Sequence, residues 1–244
     1  MKLTEKLLNL IYPPSLYCAS CGKIINATRT YSLCNTCMDQ MKWTLGRTCL
    51  KCGKPLADHN PREICFSCSE NPHHYDHGCC CTEYGSVERA LIFGLKYNSK
   101  TENADIIAEI MYDRLVSLGS PAYDFLVPIP MFTAKRLSRG YNQATLIASG
   151  LSRFTGIPSP AGILVREKET RALRGLSPAE RRVELRGVFG RGEMSDLVRG
   201  KDVLLIDDIY TTGATIDECA SVLRECGAAR IDFMSFASGA DVVK

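Results

Sequence analysis

The chain has 244 residues, 45% hydrophobic and 23% charged, with a formal net charge of +3 at pH 7. That balance excludes a wholly disordered chain, and no apolar run approaches the roughly 18 residues of a membrane span. Cysteine is the outlier: there are thirteen, and metal binding is favoured over a disulfide framework because the start does not read as an export signal.

The first twelve residues place Leu3, Leu7, Leu8 and Ile11 at helical spacing. This predicts a short amphipathic helix at the head of a cytoplasmic protein. Four Cys-x-x-Cys pairs follow: Cys18/Cys21, Cys34/Cys37, Cys49/Cys52 and Cys65/Cys68. The last two pairs repeat the first two at a fixed offset, and Cys21-Gly22-Lys23 matches Cys52-Gly53-Lys54. An internal repeat of this kind makes each half self-sufficient.

The spacing carries the chemistry. Two cysteines separated by two residues can put both sulfurs on one ion, and the glycine after the second suits a left-handed turn. Two such knuckles close a tetrahedral Zn²⁺ site with no open position, which is a structural site. Two zinc ribbons in series are therefore predicted over residues 1–72. A cross-braced arrangement and iron–sulfur or redox cysteines are the alternatives. Eight thiolates against two Zn²⁺ remove four charges, so the formal +3 becomes −1. Net charge is then no argument for nucleic-acid binding. Residues Pro72 to Cys81 hold His73, His74, His77 and three cysteines. They read as exposed histidines in a linker before a buried strand, Cys79 to Tyr84, in preference to a third metal site.

From residue 73 to the end the chain is predicted to form a second unit. Helical spacing runs over 87–97, 103–118, 142–154 and 214–226, the last stopped by Gly227. Short apolar runs at 125–129, 163–165, 203–206 and 231–236 read as strands. Strands alternate with helices, which predicts an α/β fold with a mainly parallel sheet flanked by helices.

The most informative stretch is Val203-Leu-Leu-Ile-Asp-Asp-Ile-Tyr-Thr-Thr-Gly-Ala-Thr215. A buried strand runs into Asp207 and Asp208, then into a Thr/Gly loop, then into a helix. Ligands in open α/β sheets bind beyond the carboxyl ends of strands, and backbone N–H groups at a helix start can wrap an anion. The carboxylates could hold sugar hydroxyls or a metal-bound ligand. A merely capped strand-to-helix turn is the plain alternative.

These residues resemble the phosphoribosyl pyrophosphate (PRPP) signature of type I phosphoribosyltransferases. Joined to a double zinc ribbon, the chain resembles the ComF family of competence-associated proteins. Asp124-Phe-Leu-Val-Pro-Ile-Pro130, Arg139-Gly-Tyr-Asn-Gln-Ala144 and Leu95-Lys96-Tyr97 are similar to further elements of that family. The resemblance implies that Asp207 and Asp208 face the ribose hydroxyls; they are also the candidates for any catalytic role. It implies that Thr211, Thr212, Gly213, Ala214 and Thr215 cradle the 5′-phosphate. Pro128, Ile129 and Arg139 would receive pyrophosphate with Mg²⁺, and Lys96 is either a further anion contact or a solvated helix-end lysine.

Residues 166–191 are basic and sit where these transferases carry a mobile loop. Arg166, Lys168, Arg171, Arg174, Arg181 and Arg182 are the candidate contacts to single-stranded DNA, with Trp43 and Tyr31 of the ribbons as stacking groups. A solvated loop is the alternative. Family members usually carry Gln near 173 and Asn near 184, where this chain has Leu173 and Glu184. The resemblance implies three functions: PRPP-dependent handling of single-stranded DNA beside DNA-uptake proteins, phosphoribosyl transfer to an unknown acceptor, or PRPP sensing with the ribbons as a partner surface.

Overall fold

The computed structural model describes residues 16–26, 28–56, 61–171 and 175–239. The predicted N-terminal amphipathic helix, Leu173 and Arg174 lie outside the described residues. In chain order the helices are α1 (Asn35–Gln40), α2 (Phe66–Glu70), α3 (Ser86–Tyr97), α4 (Asn103–Ser117), α5 (Thr133–Arg139), α6 (Gln143–Thr155), α7 (Pro178–Leu185) and α8 (Ala214–Glu225). The strands are β1 (Gly78–Glu83), β2 (Phe125–Pro128), β3 (Leu164–Arg166), β4 (Phe189–Arg191), β5 (Asp202–Tyr210) and β6 (Arg230–Ser238).

Parallel strands β1, β6, β5 and β2 form the central sheet in that order. Side chains alternate across a strand. On β5, Val203 and Leu205 enter one buried cluster with Ala220 and Leu223 of α8. Leu204 and Ile206 enter the other, with residues of α3, α4 and α6. The sheet is thus covered on both faces, which is why its strands read as continuous apolar runs.

Two expectations change. The strand expected at 163–165 does not join the central sheet; β3 pairs with β4 in an antiparallel ribbon. The strand expected at 203–206 continues through Asp207 and Asp208 to Tyr210, because β6 pairs with it along its whole length.

The ribbons grip the β1 edge. Thr44 N–H donates to the Cys81 carbonyl (3.0 Å) and Glu83 N–H donates to the Lys42 carbonyl (2.7 Å). The chain between the two cysteine tetrads therefore covers an otherwise open sheet edge. Glu88, fully buried, fixes this junction: its carboxylate accepts from Lys42 N–H (2.9 Å) and Gly85 N–H (3.0 Å). Cys18 and Cys37 are buried on the α3/α4 face, while Cys49, Cys52 and Cys65 are buried on the α8 face.

Candidate PRPP and metal sites

The eight predicted cysteines come together as two tetrads, Cys18/Cys21/Cys34/Cys37 and Cys49/Cys52/Cys65/Cys68, each with all sulfurs within 4.8 Å of one another. Zn–S bonds of about 2.3 Å in a tetrahedron put sulfurs about 3.8 Å apart. The Cys21–Cys34 and Cys52–Cys65 sulfur pairs each stand at 3.7 Å. Cys34 and Cys65 N–H groups donate to Cys18 Sγ and Cys49 Sγ at 3.3 and 3.2 Å, as thiolate ligands require. Gly22 and Gly53 take φ of +74° and +69°. Both sites fit Zn²⁺, and the pairing is sequential within each repeat, not cross-braced.

The histidine stretch matches the expected exposed linker at His74 and His77, and departs from it at His73. His73 is buried, its side chain 4% exposed, and stacks on Tyr75 at 4.7 Å. Asp217 of α8 accepts from His74 N–H at 2.6 Å. Cys80 and Cys81 are buried in β1, and burial pushes their thiols well above the ordinary value.

At the carboxyl end of β5 the alternation of side chains splits the two carboxylates. Asp207 falls on the α8 face and Asp208 on the α3 face. Asp208 is buried and ion-paired with Lys96, the penultimate residue of α3. Burial acts to lower the Lys96 pKa, but Asp208 and then Asp207 outweigh it and hold the ammonium above its ordinary value. Lys96 is thus an ion-paired, largely buried side chain. Asp207 retains some exposed surface yet is densely surrounded by protein. That surrounding, and then the Asp208 carboxylate, push it well above the usual carboxylate range.

The loop after β5 turns at Gly213, with φ of +82°. A Cβ there would stand 2.5 Å from Tyr210 Oη, so only glycine fits both the conformation and the space. Gly213 caps α8, whose first N–H groups open beside Thr211, Thr212 and Thr215.

The Arg139–Ala144 segment works as a bracket. Arg139 lies 5.7 Å over the Tyr97 ring and donates to Gln143 Oε1. Tyr141 Oη donates to the Leu95 carbonyl, and Asn142 Nδ2 to the Ile129 carbonyl at 2.9 Å. Asn142 also caps α6. The end of α3 is thus tied to the loop after β2. In that loop Pro128 has no N–H, and Ile129 N–H is taken by the Ile206 carbonyl (3.0 Å). Cationic side chains supply the positive charge instead. Burial, then the nearby Arg139, Lys96 and Arg166, pull the Lys135 pKa below its ordinary value.

The basic segment is not a bare loop. It carries α7 and β4, and α7 lies against the loop after β5: Arg181 donates to Thr211 Oγ1 (3.0 Å) and to the Leu176 carbonyl (3.1 Å). Glu184 accepts from both Arg171 N–H and Arg171 Nε at 3.0 Å. Arg166 binds Thr170 and lies 5.5 Å over Phe189. Lys168 is exposed and Arg182 half-buried. Trp43 and Tyr31 are half-buried, not exposed stacking groups: they pack on each other and Tyr31 Oη donates to Asp113 of α4 at 2.6 Å.

Residues 7–69 match the double zinc ribbon domain, and residues 137–241 match the phosphoribosyl transferase domain. Together these matches give the chain a double zinc ribbon followed by a phosphoribosyl transferase domain, the organisation of the competence-protein relatives it resembles. It is 29% identical to competence protein F of Haemophilus influenzae over 211 residues, spanning 84% of this chain and 90% of that protein. It is 27% identical to DNA utilization protein YhgH of Escherichia coli K12 over 207 residues, 82% and 88% of the two chains. It is 26% identical to competence protein ComFC of Bacillus subtilis over 212 residues, 81% and 80% of the two. A solved allosteric regulatory enzyme of purine biosynthesis aligns at 21% identity and a TM-score of 0.38, over 59% of this chain and 29% of that one.

The sequence pattern does not mark Lys135 or Tyr75, nor the role of Tyr210. Lys135 sits in a helix with no apolar stripe, so nothing in the pattern marked it. The tyrosines are 135 residues apart, and their contact exists only in the fold.

Proposed function

We propose that this chain binds PRPP with Mg²⁺ at the carboxyl end of the parallel sheet and handles single-stranded DNA in the cytoplasm during DNA uptake. We take residues 1–72 as its double-ribbon unit and 73–244 as its phosphoribosyltransferase-like unit. The observation that carries the reading is the run from Asp207 to Ala214. It offers two carboxylates, a left-handed glycine and a helix start within one turn of chain, opposite the cations Lys96, Lys135 and Arg139. The competence names of the relatives supply the DNA-uptake context.

In this reading Asp207 and Asp208 accept the ribose hydroxyls. The first N–H groups of α8, with Thr211, Thr212 and Thr215, hold the 5′-phosphate. Lys96, Lys135 and Arg139 neutralise the pyrophosphate, and Mg²⁺ arrives with that anion as part of the ligand. If transfer occurs, the bond from ribose C1 to pyrophosphate breaks as the bond to an acceptor forms. These cations then stabilise the departing charge. Zinc holds the ribbons and takes no part in that step. A sensing role is favoured by one contact, the tyrosine pair that joins the second ribbon to the phosphate loop.

Thermal unfolding separates the subsites. PRPP with Mg²⁺ at about 100 times its Kd should stabilise the chain by about 2.7 kcal/mol. Ribose 5-phosphate and pyrophosphate should each give part of that. Asp207→Asn with Asp208→Asn should abolish the PRPP shift. No shift in the unsubstituted chain would overturn the reading.

A further inference from the structure

Three arginines of the basic segment are already engaged, Arg171 on Glu184, Arg181 on Thr211, and Arg166 on Thr170 and Phe189, and the described part of the segment offers no aromatic ring to stack on except the buried Phe189. Two exposed aromatics and one exposed arginine instead share a face of α3. Its inner face is fully committed, with Val87, Leu91, Ile92 and Leu95 buried. Its outer face carries Arg89, Phe93 and Tyr97 four residues apart, which is one stripe. Phe93 is 48% exposed and Tyr97 67% exposed, with ring centroids 4.8 Å apart. Arg139 lies on the Tyr97 ring, and Lys96 and Lys135 lie close to Arg139. The stripe runs about 12 Å along the helix and ends at the Lys96–Asp208 pair.

We infer that the α3 stripe of Arg89, Phe93 and Tyr97 is a stacking track for single-stranded nucleic acid, leading into the PRPP site. The inference rests on the DNA-handling reading and moves its contacts from the basic segment to α3. Two flat rings flanked by cations complement a polyanion that carries flat apolar rings. A duplex does not fit, because its base faces are hidden in the stack.

The test uses the zinc-loaded full chain and fluorescence anisotropy with labelled oligo-dT, oligo-rU and a duplex of equal length. Phe93→Ala with Tyr97→Ala should weaken single-strand binding about tenfold or more and be rescued by Phe93→Trp with Tyr97→Trp, while Phe93→Ala alone, away from the Arg139 bracket, should leave the PRPP thermal shift intact. Arg89→Ala should lower the salt slope by about one phosphate contact. The dT and rU arms show whether DNA or RNA is the ligand. If the unsubstituted chain binds single strands and the double alanine variant binds them equally well, the track is overturned while the DNA-handling reading stands. Equal affinity for the duplex also overturns it. No binding of any strand by the unsubstituted chain overturns both.

Discussion

The hydroxyls of Tyr75 and Tyr210 stand 2.9 Å apart in the interior. Tyr75 reaches back to the second cysteine tetrad, with its Oη 4.0 Å from Cys68 Sγ and the Lys51 ammonium over its ring. Tyr210 Oη occupies the space that forces residue 213 to be glycine. Both rings pack on Phe233, at 4.9 and 4.7 Å. Burial pushes both phenols well above their ordinary range, so both keep their protons and one donates to the other. The second cysteine tetrad and the loop after β5 are therefore linked through one rigid contact.

Tyr75→Phe leaves the Tyr210 hydroxyl buried without this partner, at a cost of about 1–3 kcal/mol. The thermal midpoint should fall, and the PRPP-induced shift should shrink beyond what the lower stability alone accounts for. An unchanged PRPP shift would mean that the contact is only structural.

The two zinc sites should differ in consequence. Cys52 is fully buried in the cluster that holds Tyr75, Tyr210 and Phe233, whereas Cys21 is exposed. Cys52→Ser and Cys21→Ser should each reduce zinc content from two towards one by metal analysis. Only Cys52→Ser should also depress PRPP binding strongly. Equal effects on PRPP binding would show that the ribbons act on the site alike.

Glu184 closes the basic segment by accepting twice from Arg171. The pair is partly exposed, so Glu184→Ala should cost only about 0–1 kcal/mol in global stability. Local opening should rise more, and trypsin should cut after Arg171 several times faster. An unaltered cleavage rate would show that other contacts, such as Gly187 N–H on Glu218, hold the segment alone.

Asp76 supplies a pH signature. Its carboxylate accepts from Ile231 N–H at 2.8 Å and from Arg224. Burial works to raise its pKa, but the Ile231 N–H and Arg224 outweigh it and hold it below the ordinary value. A depressed folded pKa gives stability that is present above the unfolded carboxylate value near 3.9 and lost as pH falls through the folded value. Asp76→Asn should therefore cost about 1 kcal/mol at pH 7, allowing for solvent screening, and almost nothing at the acid end. A pH-independent difference in urea unfolding would contradict this.

Much of the fold was readable because periodicity and burial coincide. Helices expected at 87–97, 103–118 and 214–226 form at Ser86–Tyr97, Asn103–Ser117 and Ala214–Glu225. The cysteine repeat fixed both tetrads because each ligand pair is local in sequence. Helix α5 was hidden, since Thr133–Arg139 has no apolar face. Helix α7 left a signal that was passed over: Ser177 and Glu180 form a capping box ahead of it. The Lys96–Asp208 pair was beyond reach, because the two residues are 112 apart and meet only once α3 packs on β5. The family motif at 139–144 was visible as a string of residues, but its work, tying Leu95 and Tyr97 to Ile129, belongs to the fold.

A PRPP site at the carboxyl end of β5, as proposed, must bind its ligand in solution. Isothermal calorimetry of the zinc-loaded chain with PRPP and Mg²⁺ tests it most directly, with Asp207→Asn/Asp208→Asn beside it. Saturable one-to-one binding that the double substitution removes is the expected result. No heat of binding from the unsubstituted chain, or equal binding by the substituted one, would contradict it.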